Sequence, residues 1–260
     1  MKNMVNIQLR SLKRHIWMLI RRIFVSNDEF FSPHGVSIKV PKDGDPAIRY
    51  LLARGRPYEA PEAEMVRKYL SIGMNVIELG GCYGIISALI RQQIGPHATH
   101  IIVEADPSLA KICATNANLD NTINSADIVV AALDYSGAKK ITFMPGENVH
   151  GGRVAADGEP GFDVPTTTLS EQVLKLPQKG YTLVCDIEGA ELDLFQNEQK
   201  AVSEAYLLIL ETHPKIYPRK KIDYQKIKGN IENAGLVEIE KSGEVVCFAS
   251  KTAIKNLNLT

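Results

Sequence analysis

Ten residues, Asn75 to Gly84, constrain this chain's fold more than any others. They read Asn-Val-Ile-Glu-Leu-Gly-Gly-Cys-Tyr-Gly and run directly into the mostly apolar stretch Ile85 to Ile90. Val76, Ile77 and Leu79 suit a short buried strand. Gly80, Gly81 and Gly84 suit a turn with little side-chain bulk, and Ile85, Ile86, Leu89 and Ile90 open a helix. Strand, glycine turn and helix start together form a seat for a small polar ligand. Glycine lets backbone approach closely, and the free N–H groups of the helix start point outward. The same ten residues also describe a plain tight connection, so the rest of the chain must decide.

A second β-branched run, His100 to Val103, closes on Glu104-Ala105-Asp106-Pro107. Glu104 stands 24 residues past Gly80, near the ~20 at which an acidic residue meets a ribose diol. Further strands are expected at Val36 to Val40, Asp127 to Leu133, Ile141 to Met144, Leu183 to Cys185 and Tyr206 to Leu210. Helices are expected at Glu62 to Ser71, Ser108 to Asn118 and Lys226 to Ala234. Leu236 to Lys241 and Val245 to Ser250 form a closing hairpin. Phe31 to Tyr50 reads as irregular apart from its short strand. Pro145 to Pro165 reads as a long loop, and such loops are often lids or substrate contacts; its most useful polar groups are His150 and Arg153, each of which, taken alone, reads as solvent-exposed filler.

Strand and helix alternate from about residue 75 to 235. This predicts an α/β fold: a doubly wound, mostly parallel sheet with helices on both faces. Ligands in such sheets sit at the carboxyl ends of the strands. Glu78, Glu104, Asp186, Glu188, Glu211 and His213 all fall at or just past those ends.

The chain has 260 residues with 30 basic and 30 acidic side chains, so no overall field draws it to nucleic acid. Its four cysteines have no metal-ligand spacing and read as reduced thiols of a cytoplasmic protein. Residues 1–30 form a basic amphipathic arm with Leu9, Leu12, Ile16, Leu19, Ile20 and Ile23 at helical spacing. Its apolar run is too short to span a membrane and fits no signal peptide. Packing on its own domain or on a second copy is favoured over peripheral docking on an anionic membrane. Residues 31–260 then form a single domain.

Three motifs taken together resemble the FkbM type of class I S-adenosylmethionine-dependent methyltransferase. They are the opening stretch, Glu104-Ala105-Asp106-Pro107, and Asp186-Ile187-Glu188-Gly189-Ala190-Glu191, the last being the most specific. The resemblance covers residues 55–250. It implies a seven-stranded sheet with a reversed last strand, and methyl transfer to a hydroxyl of a sugar or secondary metabolite. The cofactor set it implies is Tyr58, Glu59, Glu78, Gly80, Gly81, Gly84, Glu104, Ala105, Ala131, Ala132 and Asp186. Glu78, Gly80 and Gly84 would take the methionine moiety, Glu104 the ribose, and Ala131 and Ala132 the adenine. The family usually has aspartate at Glu78 and asparagine at Cys82.

An alcohol acceptor must lose its proton. The catalytic candidates are His213, Asp186, Glu188 and Glu211, with His213 preferred for its ordinary pKa. Mg²⁺ on Asp186, Glu188 and Glu211 is the alternative, and a metal-free site is preferred because carboxylates at helix starts have a structural use. Two rivals remain. One is a non-catalytic scaffold of the same fold. The other is an NAD-dependent dehydrogenase, although Gly80, Gly81 and Gly84 lack the spacing that a pyrophosphate favours.

Overall fold

The computed structural model describes residues 16–17, 27–120, 123–146, 151–155, 159–178, 180–218 and 223–258. The expected arm helix therefore lies largely outside the described residues, as does His150. Ile16 and Trp17 are helical, and the Trp17 ring meets Tyr50 edge-on at 5.9 Å between centroids.

The chain opens with a two-stranded ribbon, β1 (Phe30–Phe31) and β2 (Ile38–Lys39). Helix α1 (Pro46–Ala53) follows, within the segment expected to be irregular. Its start signal is nonetheless in the sequence. Asp45 Oδ1 accepts from the N–H of Ala47 at 2.7 Å and of Ile48 at 3.2 Å, and Pro46 supplies a first-turn residue that needs no partner.

Next come α2 (Ala60–Tyr69), β3 (Val76–Leu79), α3 (Ile85–Ile94), β4 (His100–Glu104), α4 (Pro107–Ala117) and β5 (Asp127–Val130). The third expected strand breaks at Ala131, and Ala132–Leu133 form β6 of a separate sheet. With it pair β7 (Lys140–Met144), β8 (Arg153–Val154) and β9 (Phe162–Thr167), in the order β6-β9-β7-β8. The expected long loop thus contains two strands. In β9, Val164 and Thr167 are buried while Asp163 and Pro165 are exposed, a pattern hidden behind the glycine-rich and charged residues that precede it.

The chain continues with α5 (Leu169–Val173), β10 (Tyr181–Cys185), α6 (Glu191–Asn197), α7 (Gln199–Ser203), β11 (Ala205–Glu211) and α8 (Tyr224–Asn233). It closes with β12 (Leu236–Ser242), β13 (Val245–Ser250) and α9 (Lys251–Asn256). The main sheet has seven strands in the order β12-β13-β11-β10-β3-β4-β5. Five of them run parallel as β11-β10-β3-β4-β5. The last strand, β13, is reversed and lies between β11 and β12. The α/β architecture expected from the sequence is therefore the one observed.

Strand residues alternate between two cores because successive side chains point to opposite faces. Val76, Val184, Leu207 and Ile209 pack with Met65, Val66, Leu89 and Ile90 of α2 and α3. Ile77, Leu79, Leu183, Leu208 and Leu210 pack with Leu194, Phe195, Ile227 and Ile231 of α6 and α8. Each such side chain contributes about 1.5–3 kcal/mol by leaving water, which fixes strand order and register. No helix of the described residues is long and apolar enough to cross a membrane.

Candidate active site

The parallel ladder does not stop where the strands end. The Asp186 N–H donates to Leu79 O at 2.9 Å, the Gly80 N–H to Val103 O at 2.9 Å, and the Ala131 N–H to Glu104 O at 3.1 Å. These bonds latch four turns into one row. Residues more than a hundred positions apart in sequence are thereby brought side by side along the carboxyl edge of the sheet.

The glycine turn serves this row in an unexpected way. Gly80 has φ +92°, and a Cβ there would lie 1.8 Å from Asp186 O. A Cβ on Gly81 would meet the side chains of Ile102 and Cys113 at 2.7 and 2.8 Å, and one on Gly84 (φ +72°) the Cys113 backbone at 2.9 Å. The space these glycines leave is filled by protein, by the neighbouring turn and by α4, more than by any ligand approach. Gly80 still lines a cavity of about 440 Å³ together with Glu104, Ala105, Ala131, Ala132 and Asp186. That volume lies within the ~300–1,000 Å³ of ligand pockets. Phe143, Arg153 and Val154 of the small sheet close one side of it.

Glu104 is aimed by backbone. Its Oε2 accepts from the Cys82 N–H and its Oε1 from the Asp106 N–H, both at 2.8 Å. Burial raises its pKa, and those two donors oppose the shift. A carboxylate oxygen has two lone pairs, so each retains acceptor capacity for a hydroxyl. Asp106 has a structural task, capping α4 through bonds from the Ser108 and Leu109 N–H groups.

Glu78 is differently placed from the methionine-facing role expected for it. Its carboxylate is buried, with Oε1 accepting from the Ser87 hydroxyl at 2.8 Å and Oε2 lying 2.9 Å from His100 Nε2. It reaches only a water-sized crevice, shared with Tyr58, Glu59, Glu62 and Asp186. Glu62, on α2, was not among the residues singled out in the sequence. Burial pushes Glu59 and Glu62 well above the carboxylate range. Asp186 adds to the shift of Glu59, and Glu59 and then Asp186 to that of Glu62.

Asp186 and Glu188 also face a second cavity of about 520 Å³, lined further by Glu211, His213, Lys215 and Glu244. The two spaces share this acidic wall. His213 is 8% exposed and sits among three carboxylates. Its Nδ1 is 2.8 Å from Glu191 Oε1, and its Nε2 is 3.0 Å from Asp186 Oδ1 and 3.6 Å from Glu188 Oε2. Burial pulls the imidazolium down, but Asp186 and Glu191 beside its two ring nitrogens outweigh this and lift it to about 10. That shift favours the protonated form of His213 at neutral pH and runs against the ordinary pKa for which it was preferred as the base. Burial lifts Glu188 and Glu211 to about 7; for both, His213 opposes the shift and Asp186 adds to it. Glu191, fully buried, was quoted in the sequence motif without a role.

Backbone strain gathers in the same place. Five described non-glycine residues have positive φ, and three of them, Glu59 (50°), Cys82 (45°) and Glu188 (51°), border these cavities. Such conformations persist where the surrounding structure imposes them, commonly at functional sites.

The sequence model of the methyltransferase FkbM domain matches residues 72–236. No curated protein matches the chain in sequence. Among solved structures, fibrillarin from Aeropyrum pernix with bound S-adenosyl-L-methionine aligns at 10% identity, covering 73% of this chain and 74% of that chain, with a TM-score of 0.43. A methyltransferase from Pyrococcus furiosus aligns at 12% identity over 92% and 98%, with a TM-score of 0.43. An O-methyltransferase from Bacillus cereus in complex with SAH aligns at 9% identity over 73% and 78%, with a TM-score of 0.40.

Proposed function

The chain belongs to the methyltransferase FkbM domain family, and from that premise we propose that it moves a methyl group from S-adenosylmethionine to a hydroxyl of a sugar or secondary-metabolite acceptor. The observation that carries this reading is the pair of cavities sharing the Asp186–Glu188 wall, one with cofactor-type residues and one with acidic acceptor-side residues. Two ligands can meet across such a wall.

The residues fit the cofactor. Glu104 offers lone pairs to two vicinal ribose hydroxyls, at ~1.5–3 kcal/mol for each charged hydrogen bond. Ala131 and Ala132 leave room for a flat ring, and Asp186, on the wall common to both cavities, is available to the cationic end. Glu59 borders the crevice and the second cavity instead, where a positive ligand would offset the repulsion from Asp186 that adds to the upward push of burial on its carboxyl. When bound, S-adenosylmethionine supplies a methyl group on a sulfonium.

The chain's own part is to position, exclude water and accept a proton. Holding acceptor and donor in line provides much of the rate. His213 is bound through Nδ1 to Glu191 and carries its proton, so the proton of the acceptor goes to a carboxylate of the second cavity. Glu211 is placed for this, on the acceptor side at the end of β11. Cys82 replaces the family's usual asparagine, yet here its backbone N–H makes the contact to Glu104, so the substitution does not remove that contact. The amino-terminal arm, through Trp17 against Tyr50, is proposed to pack on its own domain.

The test is transfer of labelled methyl from S-adenosylmethionine to a panel of neutral sugars and polyketide-type alcohols, beside amine counterparts of the same scaffolds. Label is expected on hydroxyls, with Glu211→Gln lowering turnover by about 10²–10⁴-fold. Label confined to amines would contradict the hydroxyl reading.

A further inference from the structure

We infer that Asp186, Glu188 and His213 form a divalent-cation site of first-row type, with Glu191 as the residue that orients the histidine. One oxygen or nitrogen from each of the three lies within 4.8 Å of the other two. The closest pairs are 3.0 Å (His213 Nε2 to Asp186 Oδ1) and 3.6 Å (His213 Nε2 to Glu188 Oε2). Two atoms each bonded at about 2.1 Å to one cation lie about 3.0 Å apart at a right angle and about 3.4 Å at the tetrahedral angle. The two distances from His213 Nε2 are therefore close to those between neighbouring ligands of one cation.

Alignment separates this from an ordinary buried ion pair. Although 3.0 Å apart, His213 Nε2 and Asp186 Oδ1 make no hydrogen bond with each other or with any other group. Both atoms are buried, and His213 is 8% exposed. A ring nitrogen so enclosed and turned toward two carboxylates is oriented for a third body between them, the cation displacing the proton that His213 otherwise carries on Nε2. The opposite ring nitrogen is occupied: Nδ1 meets Glu191 Oε1 at 2.8 Å, and that same oxygen accepts the Gly189 N–H at 3.1 Å. A carboxylate on Nδ1 that fixes the ring and leaves Nε2 for metal is the usual outer support of a histidine ligand.

The donor set selects the ion. One imidazole and two carboxylates suit Mn²⁺, Fe²⁺ or Zn²⁺ better than Mg²⁺, which takes oxygen almost exclusively. This differs from the alternative weighed in the sequence, where Glu211 stood in the place of His213. With the cation on the shared wall, Glu211 is left outside the shell. The site's position between the two cavities rests on the methyltransferase reading for its purpose: a cation there would bind an acceptor hydroxyl and lower its pKa. The site itself does not depend on that reading.

The test uses the full chain and the metal alone. Titration with Mn²⁺, followed by electron paramagnetic resonance, should give one bound ion per chain, competed by Zn²⁺. Electron spin-echo modulation from ¹⁴N should identify an imidazole ligand in the unaltered protein, so the result does not hang on a variant that fails to fold. His213→Ala should remove that modulation and weaken binding at least about 100-fold, and Glu191→Gln should weaken it about 10–100-fold. Absence of a bound Mn²⁺ or Zn²⁺, bound Mn²⁺ without nitrogen modulation, or unchanged affinity in folded His213→Ala would each overturn the site. S-adenosylhomocysteine binding to the same preparation reads the cofactor cavity separately, so loss of one conclusion is distinguishable from loss of the other.

Discussion

At the scale of single residues, the site is built on positions whose identity and conformation pull in different directions. Gly80 at φ +92° has backbone 1.8 Å from where a Cβ would stand. Gly80→Ala should therefore destabilise by at least about 3 kcal/mol, from strain and overlap together. Cys82 at φ +45° holds a left-handed conformation that asparagine adopts more readily. Cys82→Asn should gain about 0.5–1 kcal/mol, or ~1–4 °C in Tm at this chain length. Thermal melts of the two variants beside the parent check both signs, and a stable Gly80→Ala protein would contradict the packing described. Glu104 was legible because its spacing from Gly80 carries a mechanism. Neither Glu191 nor the protonation of His213 was, since both depend on which carboxylates surround one ring after folding.

At the scale of elements, the strands of the parallel sheet could be read from their apolar β-branched runs. Of the small sheet, β7 could be read in the same way, but β8 and β9 could not, because Pro165 and the glycines around them mimic loop composition while the alternation of Val164 and Thr167 is short. Helix α1 was missed although Asp45-Pro46 is an ordinary start signal. Helix α2 brings a liability that pH should expose. Glu62 is buried, and burial first, then Glu59 and Asp186, push its pKa well above the carboxylate range. A carboxyl group whose folded pKa is raised stabilises fully below its unfolded value, ~4.3. That contribution is lost as pH rises through the folded value, because the unfolded chain then releases its proton more readily. Glu62→Gln should therefore melt a few degrees above the parent at pH 8, with the gap closing toward pH 5. Parallel Tm–pH profiles of the two would contradict this origin.

At the scale of the whole molecule, what organises function is the carboxyl edge of the main sheet, where backbone bonds beyond the strand ends align four turns. The row could be anticipated from the alternation of strands and helices. The division into two cavities could not, since it depends on the small sheet and on where α2 places Glu59 and Glu62. The central claim is that the cavity bounded by Glu104, Ala131 and Ala132 takes the adenosyl cofactor. Isothermal titration in one buffer tests it most directly, with S-adenosylhomocysteine and NAD offered in turn to the parent and to a Glu104→Ala variant whose melt shows it folded. One S-adenosylhomocysteine per chain, at least about tenfold weaker in the variant, with no heat from NAD, is the predicted result. No heat from S-adenosylhomocysteine, or equal affinity with and without Glu104, would contradict it.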